Sequence, residues 1–145
     1  MRILINEDAA IDETEIIVNC KKCDNGILGV IDILRSYDQK ITGVKDGRTF
    51  ILDTKDIIYC DSVDKKTFIY TPDAIYETPL RLYELEKRLS SGVFLRASKQ
   101  NIINLLKIKS LRPEITGKIE VTFENGERLY ASRQYSSALK SKLGM

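Results

Sequence analysis

The feature of this sequence that most constrains its fold is a change of pattern at Gly43. Beyond that residue the chain consists of short apolar runs separated by turn residues. Residues 49–52 and 67–70 are two such runs, rich in the β-branched and aromatic residues that favour strands. Asn125-Gly126, between two further runs, is the dipeptide typical of a tight β-hairpin turn. The pattern predicts a mainly β fold of short antiparallel strands.

The first 43 residues show instead the pattern of one strand and one helix. Residues 16–20 form an apolar run that predicts a strand, and Asp24 or Asn25 then provides an N-cap. Four apolar residues follow at the i, i+3, i+4 and i+7 spacing of an amphipathic helix that ends near Tyr37. These four residues are Ile27, Val30, Ile31 and Leu34. We expect an N-terminal strand–helix segment and a β domain, at residues 1–43 and 44–145.

Two shorter helices are predicted within the β domain. The first begins with Thr78 as N-cap and Pro79 at its first position, and it ends at residues 90–92. The second spans residues 134–143, after the candidate N-cap Ser132. The expected fold class is therefore α+β, mainly antiparallel β with short helices.

Charge is unevenly divided along the chain. Residues 1–80 contain 10 Lys and Arg against 15 Asp and Glu, a net charge of −5, whereas residues 81–145 contain 13 against 6, a net charge of +7. A basic half favours a polyanionic partner. The sequence contains no histidine, which excludes Ser-His-Asp and Cys-His catalysis and His-ligated metals. We predict that the chain is not an enzyme and needs no cofactor.

Two other groups of residues have conceivable chemical roles. Cys20 and Cys23 form a C-x-x-C pair, which is half of a zinc site or a redox pair, but Cys60 is the only other cysteine. Free thiols are therefore the interpretation that we favour. Asp61 and Asp64 are too isolated from other acidic residues to predict a metal or acid–base site.

Because no apolar run approaches the roughly 20 residues that span a bilayer, and the N-terminus turns acidic early, we expect a cytoplasmic protein.

Two polar segments of the basic half carry the residue types that bind DNA. Residues 96–101 lie between two apolar runs, and residues 132–135 lie at the predicted start of the last helix. Lys and Arg neutralise phosphates, Gln and Asn can bond base edges in the major groove, and a helix N-terminus favours phosphate. The candidates are Arg96, Ser98, Lys99, Gln100, Asn101, Arg133, Gln134 and Tyr135. The alternative is a basic surface loop with an Asn that caps the next helix.

Four stretches, in the right order, resemble one family. The first stretch, residues 56–61 with Lys65-Lys66-Thr67, looks like a first hairpin, and the second, residues 80–86, is similar to a short Leu/Glu helix. The third runs from Phe94-x-Arg96 through Ile102-Ile103-Asn104 and is similar to an F-x-R-x-H-x-S-x-x-V-N signature. The fourth is Asn125-Gly126 with Ser132-Arg133-x-Tyr135. Together, residues 46–143 resemble the LytTR DNA-binding domain. This domain is the output module of many bacterial response regulators and of some stand-alone transcription regulators.

The resemblance implies an elongated set of antiparallel strands that contacts DNA through loops instead of a recognition helix. The loops expected to enter successive major grooves are residues 63–66, 98–101 and 133–135, which adds Asp64, Lys65 and Lys66 to the candidates. Ser98 stands where the family usually has His, and Gln100 where it usually has Ser. The preferred bases can therefore differ. Asn104, among apolar neighbours, is expected to be a structural residue.

We therefore expect a sequence-specific DNA-binding transcriptional regulator. Arg96, Lys99 and Arg133 would hold phosphates or a guanine edge, whereas Gln100 and Gln134 would discriminate bases. The alternative is a non-DNA β interaction module whose basic loops bind a protein partner or RNA. By resemblance, the double-stranded DNA would carry paired direct repeats.

The N-terminal segment has its own expected role. Residues 1–43 are too short for a phosphorylatable receiver domain of roughly 120 residues, so a stand-alone regulator is expected. The segment would then support homodimerisation or the docking of an inhibitor; the alternative is that it only covers one end of the β domain. In the family this inhibitor is often a small membrane protein.

Overall fold

The computed structural model describes residues 1–37, 39–89 and 92–145. Within these ranges the helices are α1 (Asn25–Ser36), α2 (Leu82–Arg88) and α3 (Arg133–Lys142). The strands are β1 (Lys40–Lys45), β2 (Arg48–Asp53), β3 (Tyr59–Val63), β4 (Lys66–Tyr70), β5 (Ile75–Thr78), β6 (Phe94–Arg96), β7 (Asn101–Asn104), β8 (Ile108–Pro113), β9 (Ile119–Phe123) and β10 (Arg128–Ala131). No described helix has the length and apolar character needed to cross a membrane.

The strands form two antiparallel sheets. The larger has seven strands in the order β2-β1-β5-β4-β3-β7-β6, and the smaller has three in the order β10-β9-β8. The pairing of β3 with β7 matters most for the surface, because it places Asp61 opposite Asn101, forty residues later in the chain. The β3–β4 turn and the β6–β7 loop therefore leave the large sheet at the same end.

Two buried clusters lie on opposite faces of β7. Ile102 belongs to the cluster that α2 covers with Leu82, Leu85 and Leu89. Ile103 belongs to the cluster formed with the small sheet and α3. Successive side chains of a strand point to opposite faces, so β7 is buried on both. Each fully buried Leu or Ile contributes about 1.5–3 kcal/mol to the free energy of folding. Burial on both faces therefore holds β7 in place, and with it the β6–β7 loop at its start.

Most of the predicted elements are confirmed. The helix α1 begins where expected, with the Asp24 carboxylate accepting a hydrogen bond from the Ile27 amide at 3.1 Å. The predicted hairpin at Asn125-Gly126 joins β9 to β10, with Gly126 at a φ of +90°. Ser132 occupies the N-cap position of α3, although its hydroxyl makes no capping hydrogen bond. The mainly β fold class with short helices is therefore confirmed.

The predicted strand at residues 16–20 is wrong. This segment is exposed and pairs with no described strand, and an isolated extended segment has no ladder of hydrogen bonds to stabilise it. The helix α1 forms, but none of its residues belongs to either buried cluster. Its apolar stripe is therefore at most half-buried.

The second helix begins later than predicted. Thr78 is the last residue of β5, and its hydroxyl accepts a hydrogen bond from the Leu80 amide at 3.2 Å. The helix starts instead after Arg81, whose amide donates to the Glu84 carboxylate at 3.1 Å. It ends at Arg88, and residues 90 and 91, where we expected its end, lie outside the described residues.

Strands β1, β7 and β8 were not predicted, and β1 extends across the expected boundary between residues 43 and 44. The glycine that interrupts the apolar pattern of β1 is required by packing. A Cβ atom at Gly43 would lie 2.6 Å from the Cβ of Tyr76 and 2.9 Å from the Cδ1 of Leu52. The first strand of the large sheet therefore belongs partly to the N-terminal segment.

Candidate nucleic-acid interface

The first predicted loop is a tight hairpin turn. Val63 pairs with Lys66, and Asp64 and Lys65 between them have φ values of +51° and +66°. Positive φ at both central residues defines a type I′ turn, the geometry that matches the twist of paired strands. The turn leaves Asp64, Lys65 and Lys66 exposed at the tip of the hairpin.

The second predicted loop is held by two of its own side chains. The Ser98 hydroxyl donates to the Asn101 side-chain oxygen at 2.8 Å and accepts from the Gln100 amide at 3.1 Å. Ser98 is buried, whereas Lys99 and Gln100 are exposed. Ser98 and Asn101 therefore shape the loop, and Lys99 and Gln100 form its accessible tip.

The Arg96 side chain makes contacts within the protein. Its Nε lies 2.9 Å from a Glu86 carboxylate oxygen, and its Nη1 donates to the Lys99 carbonyl at 2.9 Å. Only 16% of the Arg96 side chain is exposed. The arrangement fixes the loop from β6 and neutralises the guanidinium charge, so this arginine supports the position of Lys99.

The structure brings these two loops together. The Ser62 amide donates to the Gln100 carbonyl at 2.9 Å, which ties the β3–β4 hairpin to the tip of the second loop. Between them lies an open groove of about 380 Å³, with Lys65 and Lys99 among its lining residues. Arg81 and Tyr83 from the start of α2 also line it. The sequence analysis assigned these two residues only to a short helix, and no sequence pattern indicated that they lie beside the loops.

The third predicted loop is joined to the second. The Ser132 amide donates to the Ala97 carbonyl at 2.8 Å. Arg133 begins α3 with an exposed side chain, although its Nε donates to the Thr116 carbonyl at 3.0 Å. Gln134 is exposed and Tyr135 is half-buried. Backbone hydrogen bonds at or directly beside the loops thus connect all three, but of the three loops only the first two line the groove.

Asn104 has the structural role expected from its sequence context. It is fully buried, its side-chain amide donates to the Ile57 carbonyl at 2.8 Å, and its side-chain oxygen accepts from the Leu106 amide at 2.9 Å. Both of its polar groups are therefore satisfied inside the protein. The contacts join β7 to the segment before β3 and help to hold the two loops in register.

Asp61 and Asp64 do not converge. Asp64 is exposed in the turn, whereas Asp61 accepts a hydrogen bond from the Tyr70 hydroxyl at 3.0 Å. Burial raises the pKa of the Asp61 carboxyl, and the Tyr70 hydrogen bond opposes that effect. Burial, followed by the contact with Asp61, raises the pKa of Tyr70 to about 12. Among the described residues, no three His, Cys, Asp or Glu side chains form a group that could hold a metal ion.

The three cysteines differ in environment. Cys20 and Cys23 are exposed at the start of the N-terminal helix, whereas Cys60 is fully buried in β3. Burial raises the pKa of the Cys60 thiol, so this cysteine behaves as a small core residue.

Several known proteins are similar to this chain. An uncharacterized HTH-type transcriptional regulator from Staphylococcus aureus strain NCTC 8325 is 29% identical over 135 residues, which cover 92% of this chain and 91% of that protein. One from strain MSSA476 is 28% identical over 147 residues, covering 100% of this chain and 99% of that protein. These relatives are named HTH-type, and a helix-turn-helix joins two helices by a short turn. In this chain, by contrast, strands separate the described helices.

A solved structure shares the fold. It is the LytTr DNA-binding domain of a Bacillus cereus protein described as a methyl-accepting/DNA response regulator. Its TM-score is 0.71 at 24% identity, and the match covers 74% of this chain and 99% of that domain. The sequence model of the LytTr DNA-binding domain matches residues 47–144. This range contains all three predicted loops and every strand of both sheets except β1. This chain therefore belongs to the LytTR DNA-binding domain family.

Proposed function

We propose that this chain is a transcriptional regulator that contacts specific DNA sequences through its three loops. The observation that carries the proposal is the hydrogen bond from Ser62 to Gln100, because it holds two exposed basic loop tips side by side. Family membership and the names of the S. aureus relatives support the same function. An arrangement of loops on a rigid sheet suits insertion into a groove of duplex DNA.

The environment of each loop residue suggests its role. Lys65, Lys99 and Arg133 have exposed side chains that can neutralise phosphates, and Arg133 can also reach a guanine edge. Gln100 and Gln134 are exposed at loop tips and carry the paired donor and acceptor that base edges require. The remaining candidates act indirectly. Arg96, Ser98 and Asn101 position the second loop, and Asp64, Lys66 and Tyr135 flank the contacting residues.

The test begins with a DNA sequence selected by the protein from a random pool. Affinity for this duplex and for a scrambled duplex is then measured at two salt concentrations for the wild type, Lys99→Ala and Arg133→Ala. We expect both variants to bind more weakly, and Lys99→Ala to lower the slope of log affinity against log salt by about one. Lys142→Ala, an exposed change at the other end of α3, is the control.

Base discrimination needs its own variant. We expect Gln100→Ala to cost about 1–3 kcal/mol on the selected duplex and to relax specificity at one position. Unchanged affinity of both Lys99→Ala and Arg133→Ala would show that the loops are misassigned. Failure of the wild type to retain any duplex at low salt would refute DNA binding and favour a protein or RNA partner.

We also propose that the N-terminal segment mediates self-association. Leu28 and Ile33 of α1 are 49% and 39% exposed, and Ile51 on the edge strand β2 is 76% exposed. Exposed apolar residues of a helix and an open edge strand are both features that a second copy of the chain can cover.

A further inference from the structure

We infer that Arg81 and Tyr83 bind a backbone phosphate of the DNA in the groove between the first two loops. The inference rests on the DNA-binding function proposed above and adds a contact element, the start of α2, to the three loops. Neither residue lies in a loop that the sequence pattern associated with DNA.

The position of these residues is set by the fold of α2. The Glu84 carboxylate accepts from the Arg81 amide at 3.1 Å, and Leu82 between the two residues is buried in the core under α2. Arg81 and Tyr83 are exposed, with Tyr83 at 55%, yet both line the groove. The buried leucine therefore anchors a short segment whose flanking side chains are available to a ligand.

The charge of the groove suits an anion. Its lining contains the four cationic residues Lys65, Arg81, Arg96 and Lys99 and no carboxylate. Arg96 is neutralised by Glu86, but no ion pair among the described residues involves the other three. An arginine can bond two phosphate oxygens at once, and a tyrosine hydroxyl can donate to a third acceptor site.

The location of the groove identifies the anion as a phosphodiester of the bound duplex. Lys65 and Lys99 extend from the two loops that would enter the DNA, and the groove lies between them. Duplex DNA presents about one negative charge per 1.7 Å of axis, so a basic groove between two contacting loops faces backbone phosphates. Such contacts set the register of a protein on DNA without specifying sequence.

The experiment measures Kd by fluorescence anisotropy with two labelled duplexes, one selected from a random pool and one scrambled. The variants are Arg81→Ala and Tyr83→Phe, and the control is Arg88→Ala, which removes an exposed arginine from the far end of the same helix. We expect Arg81→Ala to weaken binding of both duplexes equally, by about tenfold at low salt, and to lower the salt slope by about one. Tyr83→Phe should weaken binding by about threefold, since only one donor is lost.

The outcomes separate this inference from the function on which it depends. If Arg81→Ala matches Arg88→Ala while Lys99→Ala still weakens binding, the groove contact is refuted and DNA binding stands. If the wild type binds neither duplex, the proposed function itself fails. A change in sequence preference by Arg81→Ala would also contradict the inference, because it would indicate a base contact. Tight, saturable binding of inorganic phosphate at constant ionic strength would reassign the groove to a free anion.

Discussion

Individual polar residues of the second loop divide into two groups by their hydrogen-bond partners. The Ser98 hydroxyl donates to the Asn101 side-chain oxygen and accepts from the Gln100 amide, so both of these side-chain oxygens are engaged within the loop. Lys99 and Gln100 project from the same loop with exposed side chains. Four adjacent residues with similar polarity therefore have different environments, and their chemical types alone do not distinguish them.

Asp61 is a polar residue whose burial opposes folding. One of its carboxylate oxygens accepts from Tyr70, but the other is buried without a hydrogen-bond partner among the described residues. Burial raises its pKa in the folded protein, so the folded state holds the proton more tightly than the unfolded chain. Stability from this group is therefore lost as pH rises from the ordinary carboxyl range through the raised pKa.

We predict that Asp61→Asn stabilises the protein at neutral pH. The amide keeps an acceptor for Tyr70 and removes the cost of a buried charge, so the urea midpoint should rise at pH 7. At pH values below the ordinary carboxyl pKa, where Asp61 is protonated in both states, the two proteins should have nearly equal midpoints. The exposed Asp73→Asn is the control and should change neither value. A gain that is the same at both pH values would contradict the electrostatic explanation.

Two hairpins of the large sheet use the same turn geometry with different residues. Asp46 and Gly47 join β1 to β2 with φ values of +52° and +74°, and Asp64 and Lys65 join β3 to β4 with +51° and +66°. Glycine adopts positive φ without steric cost, whereas a lysine there costs about 1 kcal/mol. The lysine with this steric cost lies in the hairpin that we propose contacts DNA.

We predict that Lys65→Gly separates stability from binding. It should raise the free energy of unfolding by about 1 kcal/mol in a urea titration, because the strain in the turn is removed. It should also weaken binding of the selected and scrambled duplexes, because a phosphate contact is lost. Gly47→Ala, at the equivalent position of the other hairpin, should destabilise the protein without this loss of affinity. A Lys65→Gly protein with unchanged affinity would remove Lys65 from the interface.

At the level of elements, local signals were sufficient for the start of α1 and for the hairpin between β9 and β10. Asp24 predicted the start of α1, and Asn125-Gly126 predicted the turn from β9 to β10, because capping and turn preferences depend on neighbours in sequence. The run at residues 16–20 has the same strand-forming composition but pairs with no strand in the described part of the chain. The β1 strand was missed because Gly43, which packs against Tyr76, interrupts its pattern.

The whole molecule has an asymmetric distribution of apolar surface. The buried clusters contain β1 and β2 residues such as Ile41 and Leu52, but no residue of α1. The relative from S. aureus strain MSSA476 matches the entire chain, so similarity extends beyond residues 47–144 into this N-terminal part. We assign the exposed apolar residues of α1 and of the edge strand β2 to contact with a second copy of the chain.

We predict that the full chain is dimeric and that Ile33→Glu makes it monomeric. A buried charge without a partner would oppose association, so sedimentation velocity should show a shift towards the monomer at equal protein concentration. Arg35→Glu, an exposed charge change on the same helix, is the control and should leave the dimer intact. A wild-type protein that sediments as a monomer at every concentration would refute the proposed dimer.

The sequence by itself determined the fold class, the Asn125-Gly126 turn, the charge asymmetry and the family, because these depend on short-range steric preferences, on composition and on motifs within one segment. Only the tertiary structure decided which loops share a groove. The pairing of Asp61 with Asn101 joins residues forty positions apart, and the packing of α2 against β3 and β7 brings Arg81 and Tyr83 into the groove that Lys65 and Lys99 line. Such pairing depends on the burial of β7 between two buried clusters. The free energy of that burial is a sum over contacts between residues far apart in sequence, so no local sequence pattern contains it.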